Sequence, residues 1–261
     1  MEPFVRPKKS LGQHFLKDEN IARKIVSSIP ENTSNILEIG PGMGVLTKYL
    51  LELPFKSSYF IDTDKESIEY LRENYPGSRD RMIHGDFLEY DAEGLFADKF
   101  VIIGNFPYNI SSQIFFKALE HREKVSHVVC MVQKEVAERM ASGPGSKKYG
   151  ILSVLLQAFY KIDYLFTVNE SVFYPPPKVK SAVIRLSRNE RQSLDCDEKK
   201  FFQVVKTAFN QRRKTLRNSL RATGFDISNS EMAGFAGKRA EQLSVEDFIR
   251  LASLAEKQQA D

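Results

Sequence analysis

The chain has 261 residues, a formal net charge of +4, two cysteines and 42% hydrophobic residues. That size suits one large α/β domain plus a smaller module, and the composition excludes a disordered, collagen-like or disulfide-stapled chain. No apolar run approaches the ~20 residues of a membrane helix, and the N-terminal MEPFVRPKKSLGQHF carries no apolar signal core, so a cytoplasmic protein without membrane association is expected.

In chain order, the segment to about Lys24 carries Arg6, Lys8, Lys9, Lys17, Arg23 and Lys24 against few acids and reads as a basic N-terminal arm (1–24). From there to Arg188, short apolar runs alternate with helical stretches. The runs are NILEIG (35–40), SSYFID (57–62), RMIHGD (81–86), KFVIIGN (99–105) and SHVVCMV (126–132), then YLFTV (164–168) and SAVIRLS (181–187). Such alternation predicts a mostly parallel sheet with helices on both faces, an α/β fold. The last two runs leave no room for a crossover helix and read as an antiparallel pair at the sheet edge. Residues 1–188 are therefore expected as the α/β domain, 189–197 as a polar linker, and 198–261 as a small helical domain.

The first constellation with chemistry in it is ILEIGPGMGVLT (36–47). An apolar strand ends at Glu38, and Gly40, Gly42 and Gly44 let the chain turn tightly into a helix while its backbone approaches a ligand. The next two strands end at Asp62 and Asp86, so three consecutive strands present an acid at the carboxyl edge, where open α/β sheets bind ligands. Single strand-end acids often cap the following helix; three in succession form a rim. A dinucleotide pyrophosphate tolerates few carboxylates at a helix N-terminus, whereas Glu38 beside the glycine turn suits a cation. The pattern resembles the class I S-adenosylmethionine-dependent methyltransferases. That resemblance implies that Gly40, Gly42 and Gly44 line the methionine moiety, Asp62 holds the ribose hydroxyls and Asp86 binds the adenine amine of S-adenosylmethionine.

The fourth strand runs into Asn105-Phe106-Pro107-Tyr108, an N-x-P-Y motif of the kind found in methyltransferases of exocyclic amines. An adenine N6 lone pair is delocalised and a poor nucleophile. The Asn105 side-chain oxygen, with a backbone carbonyl nearby, accepts hydrogen bonds from the amine and aims its lone pair at the methyl group. Pro107 stiffens the turn, and Tyr108 stacks on a base that has left its helix.

Seven segments then resemble the small-subunit ribosomal RNA adenine N6,N6-dimethyltransferase family over nearly the whole chain. They are KKSLGQHFLKD (8–18), LEIGPGMGVLT (37–47), GNFPYNISS (104–112), MVQKEVAERM (131–140), PGSKKYGILSVLLQ (144–157), VFYPPPKVKSAVIRL (172–186) and AFNQRRKTLRNSL (208–220). The resemblance implies a Rossmann-like sheet of order 3-2-1-4-5-7-6 with strand 7 antiparallel. It implies dimethylation of two adjacent adenosines near the 3′ end of small-subunit rRNA, within an immature particle of the 30S type, by a monomer. His14 and Leu16 would close the cofactor pocket, and Phe173 would pack on the target base. The chain departs from the family's usual residues at His14 (asparagine), Asp62 (glutamate) and Phe106 (leucine).

Other readings of these residues are a large-subunit rRNA adenine methyltransferase of the macrolide-resistance type and a non-catalytic assembly or transcription factor. A DNA adenine methyltransferase is a third. FYPPPKVKS and QRRKTLRNSL favour the small-subunit enzyme, an intact Asn105–Tyr108 motif speaks for catalysis, and DNA enzymes more often carry D-P-P-Y. The stretch Lys199–Arg221 has no acid. Helical spacing puts Phe202, Val205, Phe209, Leu216 and Leu220 on one apolar stripe. Lys206, Arg213, Lys214, Arg217 and Arg221 lie beside it and are expected to meet RNA phosphates. His84, His121 and His127 have no metal-ligand spacing, and Cys130 reads as core.

Overall fold

The computed structural model describes residues 5–221 and 232–260. Its strands are β1 (Phe15–Leu16), β2 (Asn35–Ile39), β3 (Ser57–Asp62), β4 (Met82–His84), β5 (Phe100–Asn105), β6 (Val125–Gln133), β7 (Tyr160–Val168), β8 (Phe173–Tyr174) and β9 (Ser181–Arg188). The helices are α1 (Glu19–Val26), α2 (Thr47–Glu52), α3 (Lys65–Asn74), α4 (Ser111–Glu120), α5 (Lys134–Ala141), α6 (Ile151–Gln157), α7 (Glu198–Asn210), α8 (Leu216–Leu220), α9 (Ala233–Ala236) and α10 (Val245–Ala260). Two compact units emerge: residues up to 137 with 162–188, and 138–161 with those from 189 on.

In the first unit a seven-stranded sheet has the order β4-β3-β2-β5-β6-β9-β7. Leaving aside the two-residue strands, this is 3-2-1-4-5-7-6. Neighbours from β4 through β6 are parallel, and β9 runs antiparallel to β6, with Cys130 opposite Ile184. The α/β expectation is borne out strand by strand. All five residues of β2 are buried, as are Phe100 to Gly104 of β5, the covered-on-both-faces condition that favours continuous apolar runs over alternation. Helix α1 turns Ala22, Ile25 and Val26 inward and is capped by Asp18, whose carboxylate accepts from the Asn20 and Ile21 N–H groups. Such a cap contributes about 1 kcal/mol.

The basic arm is built into this unit. A 3₁₀ turn at Lys9–Leu11 leads into β1, which pairs antiparallel with β8: Phe15 opposite Tyr174 and Leu16 opposite Phe173. Two-residue strands carry no periodicity that a sequence pattern can reveal.

The second unit packs α6, α7 and α10 around Tyr149, Val154, Phe201, Phe209 and Phe248. Phe209 meets Tyr149 and Phe248 at ring-centroid distances of 6.0 and 5.8 Å. Residues 138–161, placed by sequence in the α/β domain, group with the C-terminal helices because α6 buries Val154, Leu155 and Leu156. The expected linker is fastened within this unit. Asn189 donates its N–H to Phe159 O, Arg191 reaches Ala158 O and Glu246, and Leu194 is buried. The apolar stripe also differs from the expected one. Phe201 is buried and Phe202 only half-buried, and the helix stops at Asn210 and resumes at Leu216. Arg213 and Lys214 thus lie in the break, closed by a Lys214 N–H to Gln211 O bond, and not on a helix face.

Candidate active site

The glycine turn follows β2 directly. Gly40, Gly42 and Gly44 all take left-handed φ, 69°, 54° and 80°, a region side-chain-bearing residues rarely enter. At Gly42 space adds a second demand, since a Cβ there would come within 2.8 Å of the Phe15 ring. Gly104 was not singled out by sequence, yet a Cβ on it would meet Ile39 O at 2.3 Å. The ends of β2 and β5 can lie side by side only because that position is glycine.

Two carboxylates are buried beside this turn. Glu38 is 1% exposed and accepts a 2.7 Å hydrogen bond from Thr47 Oγ1. Burial, reinforced by the charge of Asp62, pushes its carboxyl up to about 8. Asp62 is 8% exposed and accepts from the N–H groups of Gly42 (3.1 Å) and Asp64 (2.8 Å). Burial outweighs those bonds and lifts its carboxyl to about 6. Among the described residues, no lysine or arginine is ion-paired to either acid. Asp86 stands exposed at the rim, its Oδ1 accepting from the Leu88 N–H, the capping geometry open to any strand-end acid.

Two cavities adjoin here, sharing Phe15, Gly40, Gly42 and Asn105. Glu38, Leu16 and the glycine turn line one; Asp62, His14 and the Asn105–Tyr108 segment line the other. Leu11 to Leu16 form their common lid. Sequence reasoning missed what fastens it. The Asp64 carboxylate, wholly inaccessible, accepts from Lys8 Nζ (2.6 Å) and Gln13 Nε2 (2.9 Å), and also from Ser67 Oγ and the Glu66 N–H. Burial alone would raise this carboxyl, but Lys8 and Gln13 hold it below the usual carboxylate range. These partners lie 56 and 51 residues apart along the chain, and the only local signal was a second acid just beyond Asp62.

The lid also sets the acceptor side. Asn105 Nδ2 donates to His14 O at 2.9 Å across 91 residues. With its nitrogen so engaged, the Asn105 side chain has its oxygen as the acceptor. The His14 ring bonds Pro175 O through Nδ1 at 2.7 Å and stacks on Tyr108, 5.5 Å between centroids at 28°. Tyr108 Oη lies 2.6 Å from Ser181 Oγ, and burial raises its phenol. Pro107 lines the cavity between them, and Phe106 is buried against Phe115.

Phe173 sits elsewhere than the sequence suggested. Its ring is 1% exposed and packs in the core with Leu16, Val168 and Val183. Side chains alternate along a strand, and in β8 the inward turn falls on Phe173 while Tyr174 points out, 45% exposed. Within the second unit, Arg213, Lys214, Arg217 and Arg221 are all exposed, while Arg212 pairs with Glu241 at 2.7 Å. Among the described residues no group of three or more His, Cys, Asp or Glu side chains is placed to hold a metal ion, and no helix is long and apolar enough to cross a membrane. His121 pairs with Glu93 at 2.5 Å, and Cys130 is buried in β6.

The sheet order, the glycine turn after the first core strand and the acids on its rim define the class I S-adenosylmethionine-dependent methyltransferase fold. A Plasmodium falciparum dimethyladenosine transferase superposes with a TM-score of 0.80 at 28% identity, covering 94% of this chain and 98% of that one. The 23S rRNA methyltransferase ErmE, at 24% identity, shares the fold with a TM-score of 0.69, covering 93% and 99%. The ribosomal RNA small subunit methyltransferase A of Cytophaga hutchinsonii is 57% identical over 252 residues, 96% of this chain and 97% of that protein. Residues 5–257 match the ribosomal RNA adenine dimethylase family, and the chain belongs to it. It is a methyltransferase, and its methyl donor is S-adenosylmethionine. The residues present fit that donor: two buried acids with no lysine or arginine partner among the described residues face the glycine turn, and a sulfonium with an ammonium would supply positive charge there.

Proposed function

We propose that this enzyme transfers methyl groups to the N6 amines of two adjacent adenosines near the 3′ end of small-subunit rRNA, converting each to N6,N6-dimethyladenosine. The substrate is an immature small-subunit particle, and the enzyme works as a cytoplasmic monomer. The donor supplies an electrophilic methyl on a positively charged sulfur. Gly40, Gly42 and Gly44 give it a close-fitting backbone, Glu38 offers charge to its cationic end, Asp62 takes the ribose hydroxyls and Asp86 the adenine amine. His14 and Leu16 cover it.

The single observation that carries the acceptor reading is the Asn105 amide. Its nitrogen is tied to His14 O, which leaves Oδ1 to accept from the N6 amine and draw its lone pair out of conjugation. Pro107 keeps the turn rigid, and Tyr108, held by Ser181 and His14, stacks on the flipped base. After attack the nitrogen carries the transferred methyl and a positive charge. It loses its proton readily, so no strong general base is required. Arg213, Lys214, Arg217 and Arg221 are available to contact RNA phosphates.

High identity to relatives named for the small subunit supports that acceptor over the large-subunit reading; the ErmE likeness extends to the fold alone. The test is incubation with labelled methyl donor and, separately, immature small subunits, large subunits and duplex DNA. Label is expected in small-subunit RNA. Label confined to large-subunit RNA or DNA would overturn the assignment.

A further inference from the structure

The short β1–β8 ribbon has two faces. In an antiparallel pair, residues directly opposite share a face. Leu16 and Phe173 take the inner one, 5% and 1% exposed, and belong to the core. Phe15 and Tyr174 take the outer one. Phe15 lines both cavities, whereas Tyr174 is among the few large hydrophobic side chains left exposed among the described residues. The residue after Tyr174 is fixed against the acceptor side: Pro175 O accepts from His14 Nδ1, and His14 stacks on Tyr108 of the N-x-P-Y motif. Beyond Tyr174 the chain runs Pro175-Pro176-Pro177, then exposes Lys178, Val179 and Lys180.

An aromatic ring beside a proline-stiffened turn, followed at once by two exposed lysines, combines the features of a single-stranded nucleic-acid platform: a flat face for a base and cations for its phosphates. The proposed reaction creates a need for one. Swinging an adenosine out of its stack bares one face of its neighbour, and the bare face has to find a new partner. We propose that Tyr174 stacks on the nucleotide adjacent to the target adenosine, while Lys178 and Lys180 hold the flanking phosphates. This rests on the reading of the acceptor as an adenosine in RNA, and it assigns the second aromatic of the FYPPP segment a role in substrate register distinct from the packing role of Phe173.

The test uses the full enzyme and a short single-stranded adenosine-rich RNA, with each neighbour of the target adenosine replaced in turn by an abasic nucleotide. Tyr174→Ala should weaken binding of the complete RNA by about 5- to 150-fold, the range of one base–aromatic stack. Tyr174→Phe, which keeps the ring, should bind like the parent. One of the two abasic RNAs should bind the parent with the same loss, and Tyr174→Ala should add nothing to it. Affinity for the methyl donor should stay at the parental value in both variants. Equal binding by Tyr174→Ala, losses that multiply on the abasic RNA, or failure of Tyr174→Phe would each overturn the proposal. A failed acceptor assignment reads out separately, as absence of transfer by the parental enzyme to small subunits.

Discussion

The donor and acceptor sides of this site are built in different ways. Glu38, the three glycines and Thr47 lie within ten residues of one another, and a strand-turn-helix sequence places them with little outside help. The acceptor side depends on distant chain. Asn105 is oriented by His14, and His14 by Pro175 and Tyr108. The lid carrying His14 is tied down by Asp64. One local motif thus supplies the centre of the donor side, with Asp62 and the lid completing it, whereas aiming an amine takes three separated segments held in register.

The largest expected effect breaks the acceptor side alone. Asn105→Ala should lower methyl transfer by about 10²–10³, the loss typical of a polar group that acts mainly in the transition state. Donor affinity, read by calorimetry, should barely change. Parental transfer by this variant would show that N6 is oriented by something else.

Asp64→Ala should blur the two sides. Removing a buried carboxylate leaves the Lys8, Gln13, Ser67 and Glu66 donors without it, at a cost of roughly 1–3 kcal/mol. The melting temperature should fall, and hydrogen exchange should quicken across residues 8–16. Because the lid lines both cavities, donor affinity and transfer should drop together, unlike in Asn105→Ala. Unchanged exchange in the lid would contradict the fastening role of Asp64.

The donor side has a pH signature. Glu38, raised to about 8 by burial, holds at neutrality a proton that an unfolded chain would release, and Asp62, raised to about 6, does so only in more acidic solution. Without a ligand their contribution to stability is therefore fullest below the ordinary carboxylate range and is lost as pH rises through 6 and then 8. A cation favours the ionised acids, so binding releases protons. Donor affinity should rise between pH 6 and 7.5, by at most about tenfold per unit for each proton released. Calorimetry in buffers of different ionisation enthalpy measures that release directly; a pH-independent affinity would rule it out.

The smallest effect per residue belongs to the basic stretch of the second unit. Replacing Arg213, Lys214, Arg217 and Arg221 together should flatten the log–log salt dependence of small-subunit binding by roughly 0.7–0.9 for every phosphate no longer neutralised. Donor affinity should not move. An unchanged slope would mean that these side chains only solvate their unit.

What the sequence could disclose follows the same division. The sheet strands were legible as short apolar runs between helical stretches, clearest in β2 and β5, which are buried on both faces, and the glycine turn because residues with side chains rarely take those dihedrals. Asn105 was legible as chemistry, but the bond that orients it spans 91 residues and leaves no local trace. For Phe173 the resemblance implies a ring packed on the target base; two adjacent aromatics carry no sign of which faces in, and pairing with Leu16 decides it. Phe201 and Phe202 pose the same ambiguity, and the break after Asn210 is hidden because the apolar spacing runs on through it.

The product itself is the most direct test of the proposed chemistry. Immature small subunits treated with enzyme and methyl donor should be digested to nucleosides and analysed by mass spectrometry, with the modified fragment sequenced. The expected result is N6,N6-dimethyladenosine at two adjacent positions near the 3′ end. Methylation that stops at a single N6-monomethyladenosine, or falls on another base, would contradict it.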